Sequence, residues 1–175
     1  MDMRAMKTKR SIHNAFLAIR SKKNLEKITV KELCDTAEIS KATFYLHYKD
    51  IYDLSEQLQM EVVDSIISFG NDPEELIHDP LRASHSMING YISNKGLVTV
   101  LFSGSQFSRL PEKIEDGIKQ HLFSVKPELK DDVFTNVKIT YQLMGSFYAI
   151  FEYETKFGAE KVIDAVDKMT SRLYD

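Results

Sequence analysis

The chain has 175 residues, of which 43% are hydrophobic, 23 are basic and 26 are acidic. This length suits one or two globular domains, and no apolar run reaches the 18 residues of a membrane-spanning helix. The N-terminal MDMRAMKTKR lacks the apolar core of a signal peptide, and the single cysteine excludes an internal disulfide. A soluble, cytoplasmic protein is the expectation.

Basic residues are concentrated at one end of the chain. Residues 1–50 contain 11 basic and 6 acidic side chains, whereas residues 51–175 contain 12 and 20. A basic head on an acidic body favours binding to a phosphate backbone at one end only. The alternative is a solvated surface with a chance asymmetry, and charge alone does not separate the two.

The apolar residues recur with a helical period almost everywhere, so the sequence predicts an all-α protein of about nine helices. Apolar positions Ile12, Ala15, Phe16 and Ile19 mark a first helix that ends near residues 21–24. The later predicted helices cover residues 29–37, a short helix from 40, 50–69, one from 72, 79 to about 94, 111–125, 130–157 and 159–174. A looser stretch, residues 96–110, separates two of them.

Residues 29–49, TVKELCDTAEISKATFYLHYK, predict two capped helices joined by a tight turn. Thr29 and Glu32 have the spacing of a capping box, and Ser40 is the next N-cap candidate. In the second helix, Phe44 and Tyr48 lie four residues apart and can face a core. Small, basic and aromatic side chains cover the opposite side, as in a helix-turn-helix that enters a DNA major groove.

Residues 8–58 resemble the N-terminal DNA-binding domain of TetR/AcrR transcriptional regulators. The resemblance is carried by ITVKELCDTAEISKATFYLHYKDIYDL, above all by Thr-Phe-Tyr-x-His-Tyr-Lys at residues 43–49, and it covers roughly a third of the chain. One departure is Glu38, at a turn position where many members have glycine. A positive φ there would cost a glutamate free energy.

The resemblance implies a DNA-reading head over residues 1–50 and a helical regulatory and dimerisation domain over residues 51–175. Ser40 would contact a phosphate, Lys41 a guanine edge or a phosphate, and Thr43 and Leu46 thymine methyl groups. Tyr45, His47 and Lys49 would reach the DNA backbone. The full predicted set is Thr29, Lys31, Ser40, Lys41, Ala42, Thr43, Tyr45, Leu46, His47 and Lys49. For each of them the alternative is an ordinary surface residue.

Two apolar stripes near the C-terminus predict a helix pair that can meet a second copy. Val137 and Phe151 belong to an aromatic stripe of residues 130–157, and Val162, Val166, Met169 and Leu173 follow the four-and-three spacing of a helix seam. In the family resembled, these helices form a four-helix dimer interface. A dimer would place two reading helices on half-sites about 34–36 Å apart. The alternative is that both stripes complete the core of the monomer.

The resemblance also implies a small-molecule effector held among the helices of the body. Its predicted lining is aromatic and apolar: Tyr91, Phe102, Phe107, Tyr141, Met144, Phe147 and Tyr148. An ordinary core is the alternative for each of these residues, since aromatics and methionine are core residues first.

The function expected is therefore that of a ligand-responsive, homodimeric repressor that reads a palindromic DNA operator. Two other classes stay open, a non-DNA-binding interaction protein or co-regulator on the same scaffold and a small helical enzyme. No Cys/His ligand spacing, phosphate-binding loop or nucleophile motif occurs. The sequence thus predicts no metal, no cofactor and no catalytic activity.

Overall fold

The computed structural model describes residues 3–70 and 75–174, except for the side chains of residues 76, 173 and 174. Within these residues the chain forms α-helices and short 3-10 turns and no β-strand, which confirms the all-α class. No helix in the described parts combines the length and the apolar character needed to cross a membrane. The helix start predicted at Asp72-Pro73 lies outside the described residues.

Nine α-helices follow one another along the described chain. They are α1 (Met3–Arg20), α2 (Val30–Ala37), α3 (Lys41–Tyr45), α4 (Ile51–Ile67), α5 (Glu75–His78), α6 (Pro80–Leu101), α7 (Arg109–Val125), α8 (Val133–Phe157) and α9 (Ala159–Tyr174). The 3-10 turns cover Leu25–Lys27, Gly104–Gln106 and Pro127–Leu129. The prediction for α9 is correct at both ends. Helix α6 extends past its predicted end near residue 94, through the exposed Gly96.

The chain divides into two compact units. The first contains the residues up to Val62 together with Lys95–Phe107. Its core joins Ile12 and Phe16 of α1, Leu33 of α2, Phe44 of α3 and Leu54 of α4, all of them fully buried. The second unit contains Val63–Asn94 and the residues from Ser108 onward. A boundary at residue 50, as predicted, would instead cut through the first unit.

Polar contacts explain why residues 95–107 belong to the first unit. The Gln59 side-chain amide donates to the carbonyl of Leu101 at 3.1 Å, and the Arg20 guanidinium donates to the carbonyl of Ser103 at 2.8 Å. Because Arg20 and Gln59 are both buried, these hydrogen bonds satisfy groups that would otherwise be costly to desolvate.

The second unit is built on α7, α8 and α9. Ile114, Ile118 and Leu122 line the buried side of α7, and the Lys119 ammonium bonds both the Glu115 carboxylate at 2.6 Å and the Thr140 hydroxyl of α8 at 3.1 Å. Other close contacts join its remaining parts. His85 of α6 lies 2.7 Å from the Asp167 carboxylate of α9, and Gly90 lets α6 approach the carbonyl of Ile66 in α4.

Candidate nucleic-acid interface

The helix start at Thr29 forms as half of the predicted capping box. The Thr29 hydroxyl accepts a hydrogen bond from the backbone N–H of Glu32 at 3.2 Å. The Glu32 carboxylate does not reach back to residue 29 but pairs with the Lys23 ammonium at 2.6 Å. The cap therefore fixes α2, while Glu32 joins α2 to the turn after α1.

The bend between α2 and α3 uses a left-handed residue. Glu38 has φ 56° and ψ 43° and is the one non-glycine residue with positive φ in the part of the chain that the structure describes. The backbone N–H groups of Glu38 and Ile39 both bond the carbonyl of Cys34, which closes α2. This conformation is the one that glycine adopts most easily. Glu38 therefore has the positive φ that the sequence analysis identified as costly for a glutamate.

Ser40 begins α3 as predicted. Its hydroxyl accepts a hydrogen bond from the backbone N–H of Thr43 at 3.0 Å and lies 2.8 Å from the Thr43 hydroxyl. Both hydroxyls are therefore held at the first turn of the helix. A hydroxyl oxygen has two lone pairs as well as one proton, so the pair can still contact an outside group.

A buried aromatic cluster holds α3 from below. Phe44 and Tyr48 are almost fully buried and their ring centroids lie 5.7 Å apart. The Tyr48 hydroxyl lies 2.7 Å from Nε2 of His13 on α1. Burial raises the pKa of Tyr48 to about 12, with smaller contributions from Glu61 and Asp53. Burial also lowers the pKa of His13, so a neutral pair is favoured at this contact.

The opposite side of α3 is open. Tyr45 is 56% exposed and Leu46, which follows the helix, is 83% exposed. Among the residues predicted to bind DNA, two are half-buried, Thr43 and His47. The others are exposed: Thr29, Lys31, Ser40, Lys41, Ala42, Tyr45, Leu46 and Lys49. A surface that combines a cation, a small residue, an aromatic ring and an aliphatic side chain can contact phosphates and base edges together.

A reciprocal cap fixes the chain directly after α3. The Asp50 carboxylate accepts from the backbone N–H of Asp53 at 2.8 Å, and the Asp53 carboxylate accepts from the backbone N–H of Lys49 at 2.8 Å. The hydrogen bond from Lys49 is the main reason that the pKa of Asp53 is lowered. Lys49 is thereby held at a defined backbone position at the start of α4.

The residues predicted to form the dimer interface fall into two groups. Val137 and Phe151 of α8 and Met169 of α9 are exposed, whereas Val162 and Val166 are 6% and 5% exposed. Helices α8 and α9 pack on each other, so the chain itself covers these two valines and they offer no surface to a partner. The side chain of Leu173 lies outside the described residues.

The exposed face of α8 is larger than the sequence prediction allowed. Val133 and Phe134, which were not predicted to take part, are also exposed. Phe134, Val137, Tyr141 and Tyr148 follow one another at intervals of three, four and seven residues, so they share one helix face. The same spacing could have identified Phe134 from the sequence.

The predicted effector residues are not equivalent. Phe102 is fully buried and Phe107 half-buried in the first unit. Tyr91, Met144 and Phe147 are half-buried in the second unit, where Tyr141 and Tyr148 are exposed. Phe147 contacts the Tyr148 ring edge-on and stacks on Phe151. The two units thus hold separate parts of the predicted set.

Comparisons with family models, with curated proteins and with solved structures found no match for this chain. The resemblance carried by residues 8–58 therefore stays a prediction. Among the described residues, no cluster of three or more His, Cys, Asp or Glu side chains could hold a metal ion.

Proposed function

We propose that the chain is a DNA-binding transcriptional regulator of the TetR type, a homodimer that reads a palindromic operator with α3. One observation carries the proposal, namely that α3 is anchored by its buried side and open on the other. Phe44 and Tyr48 hold the helix, while Tyr45 and Leu46 remain in solvent. The side chain of Leu46 buries almost no apolar surface within the chain itself. It is therefore available to contact thymine methyl groups.

Selection of bound sequences from random duplexes tests this function directly. A two-fold reader should yield a palindrome, and its affinity should fall steeply with salt because phosphate contacts release counterions. Lys49→Ala should weaken binding to all selected sequences alike and lower the salt slope by about 1. Recovery of no enriched sequence would reject DNA reading.

A matched pair of tyrosines tests the assignment of the face. Tyr45 on α3 and Tyr153 on α8 are both exposed, so alanine at either position should change stability little. Tyr45→Ala should lower affinity about tenfold because it removes a hydrogen bond to a charged phosphate, worth ~1.5 kcal/mol, while Tyr153→Ala should leave affinity unchanged. Equal effects of the two changes would reject the α3 face as the contact.

The homodimer is supported by the exposed face of α8. Because Val162 and Val166 of α9 are covered by the chain itself, we assign the partner surface to the exposed face of α8, namely Phe134, Val137, Tyr141, Tyr148 and Phe151. At an exposed fraction of about one half to two thirds each and roughly 200 Å² per large side chain, the pair would bury about 1,100 Å² in total. That area lies just above the floor of about 1,000 Å² for a biological interface and below the standard size of about 1,600 Å².

Sedimentation velocity tests this surface. Tyr141→Glu should convert the dimer to a monomer at micromolar concentration, because it places a charge in the apolar interface. Tyr153→Glu, which lies off this face, should remain dimeric. A monomeric wild-type chain would reject the dimer and with it the palindrome.

We place a small-molecule effector in the second unit. Met144 and Phe147 in the second unit are half-buried and suit one wall of a small aromatic site. The ring of Phe102, being fully buried, belongs to the core of the first unit in this conformation. Release of DNA by a small aromatic compound, lost in Phe147→Ala, is the expected result.

The same exposed face of α8 favours one alternative, an interaction protein that binds a different chain. It predicts that no duplex is selected and that Tyr141→Glu abolishes a hetero-complex.

A further inference from the structure

A side-chain hydrogen bond joins helix α1 to the anchor of α3. Nε2 of His13 lies 2.7 Å from the Tyr48 hydroxyl, and the two ring centroids are 6.2 Å apart. Tyr48 is 2% exposed, whereas His13 is half-buried. The contact therefore lies at the edge of the core of the first unit, where the imidazole is partly open to solvent and the phenol is not.

The phenol of Tyr48 needs an acceptor for its proton. Within the described parts of the chain, its hydroxyl is hydrogen-bonded to His13 and to no other group. A buried donor that lacks an acceptor is costly. A neutral imidazole has one bare nitrogen that can accept. The phenol proton is therefore satisfied when Nε2 of His13 is that acceptor and the ring proton of His13 is on Nδ1.

Protonation of His13 would remove this acceptor. Both nitrogens of an imidazolium ring are donors, so the phenol proton of Tyr48 would lose its partner. The new charge would also be half-buried. Burial is the main reason that the pKa of His13 is lowered; Glu61 of α4 opposes this effect, and Lys9 of α1 adds to it. From α4, Glu61 and Asp53 also act on the Tyr48 phenol.

Tyr48 is connected directly to the residues that α3 presents to solvent. Its ring centroid lies 5.7 Å from that of Phe44 and 6.3 Å from that of His47. Its backbone N–H donates to the carbonyl of Phe44 at 3.0 Å. Leu46 and His47, which belong to the predicted DNA-binding set, lie between these two anchors in the chain. A displaced Tyr48 would therefore shift the turn that carries both of them.

We propose that His13 is a positioning residue that makes DNA reading by α3 depend on pH, because the neutral ring holds Tyr48 and the protonated ring releases it. The inference rests on the proposed function. The folded pKa of His13 lies below the ordinary 6.5, so the unfolded chain takes up the proton first as the pH falls. This contribution to stability is complete above pH 6.5 and is lost as the pH falls through the folded pKa.

The test measures affinity of the full chain for the selected duplex between about pH 7.5 and about pH 5.5, at constant ionic strength. His13→Gln keeps an acceptor but cannot be protonated, and His121→Gln removes an exposed histidine of α7. At the acid end, wild type and His121→Gln should lose roughly three- to tenfold in affinity relative to His13→Gln, because a buried donor loses its partner and fewer molecules hold α3 in place. His47 is present in all three chains, so its own protonation on DNA cancels.

Tyr48→Phe separates the hydrogen bond from other effects of the charge. This variant keeps His13 and its burial but has no phenol proton, so its affinity should lack the acid-dependent loss seen in the wild type. A loss as large as that of the wild type overturns the inference, and so does a wild-type pH profile in His13→Gln. Should His13→Gln fail to fold, the comparison of wild type with Tyr48→Phe decides alone.

These outcomes are distinct from failure of the proposed function. A pH profile that does not depend on His13 or Tyr48 leaves reading by α3 intact. Absence of DNA binding by the wild type at neutral pH rejects the proposed function itself.

Discussion

Glycine at position 38 should stabilise the protein. Glu38 closes α2 in the left-handed conformation, with φ 56° and ψ 43°, and its side chain is exposed. Its carboxylate also lies at the C-terminal end of α2, where the helix dipole disfavours a negative charge. Glu38→Gly removes the Cβ and the charge and leaves the hydrogen bonds to Cys34 unchanged, since both are made by backbone N–H groups.

The size of the gain follows from three contributions. A left-handed non-glycine residue costs about 1–2 kcal/mol, and the misplaced charge costs about 0.3–1 kcal/mol. Against these gains, glycine lowers the free energy of unfolding by about 0.4–1 kcal/mol because it gives the unfolded chain more conformational entropy. The expected net gain in the free energy of unfolding is therefore about 1 kcal/mol, or roughly 2–4 °C in Tm for a chain of this size.

Urea titration of three variants separates these contributions. Glu38→Ala removes the charge but keeps the strain, so it should gain about 0.5–1 kcal/mol less than Glu38→Gly. Glu152→Gly, at an exposed position inside α8, should lower the free energy of unfolding by about 1 kcal/mol, because glycine destabilises a helix interior. Unchanged m-values would confirm that only stability differs. If Glu38→Ala proves at least as stable as Glu38→Gly, the strain argument is refuted.

Three further predictions test other contacts. Ser40→Ala should lower the free energy of unfolding, measured by urea titration, by about 1 kcal/mol because α3 loses its cap, whereas Ser40→Asn should lower it hardly at all. Equal decreases for the two variants would contradict the capping role. Because the folded pKa of Tyr48 is about 12, above its ordinary 10.0, stability should be complete below pH 10 and decline as the pH rises towards 12. Tyr48→Phe should abolish that decline in pH-dependent denaturation. It should also lower the free energy of unfolding at pH 7 by about 1 kcal/mol, because the substitution removes the hydrogen bond to His13. A decline that persists in Tyr48→Phe would contradict this assignment. Gly90→Ala should lower the free energy of unfolding by more than about 2 kcal/mol, since an added Cβ would lie 2.5 Å from a backbone carbonyl of α4. Gly145→Ala, with no neighbour within 4 Å, should raise it by about 0.5–1 kcal/mol, and similar melting temperatures for the two would refute the close approach.

The helix starts could be predicted from the sequence because caps are local. Thr29 and Ser40 were both identified as capping residues, and each accepts a backbone hydrogen bond from the residue three positions on. The end of α8, which was predicted at residue 157, is also correct, and the next residue, Gly158, has the positive φ common after a helix end. Such signals depend on four or five neighbouring residues and on nothing farther away.

Burial of the C-terminal stripes could not be predicted in this way. Val137 and Val162 both belong to regular apolar patterns, yet one is 61% and the other 6% exposed. Only the pairing of α8 with α9 decides which stripe is covered. Local spacing contains no information about that choice, because either stripe could have faced either partner.

The periodicity of the sequence predicted which side of α3 is buried and therefore which side is open. Phe44 and Tyr48 were expected in the core, and they are buried. Their burial turns Tyr45 and Leu46 outward, since a helix rotates about 100° per residue. What these exposed side chains bind is a question of chemistry that periodicity does not answer.

The first unit is assembled from two segments of the chain, and the second of them, residues 95–107, is synthesised later than the first. Until Leu101 and Ser103 have left the ribosome, Gln59 and Arg20 lack the carbonyl acceptors that they bond in the finished fold. A fragment cut after Val62 would keep every residue predicted to touch DNA and still be incomplete. A chimaera that transplants this head onto another body should therefore carry residues 95–107 with it.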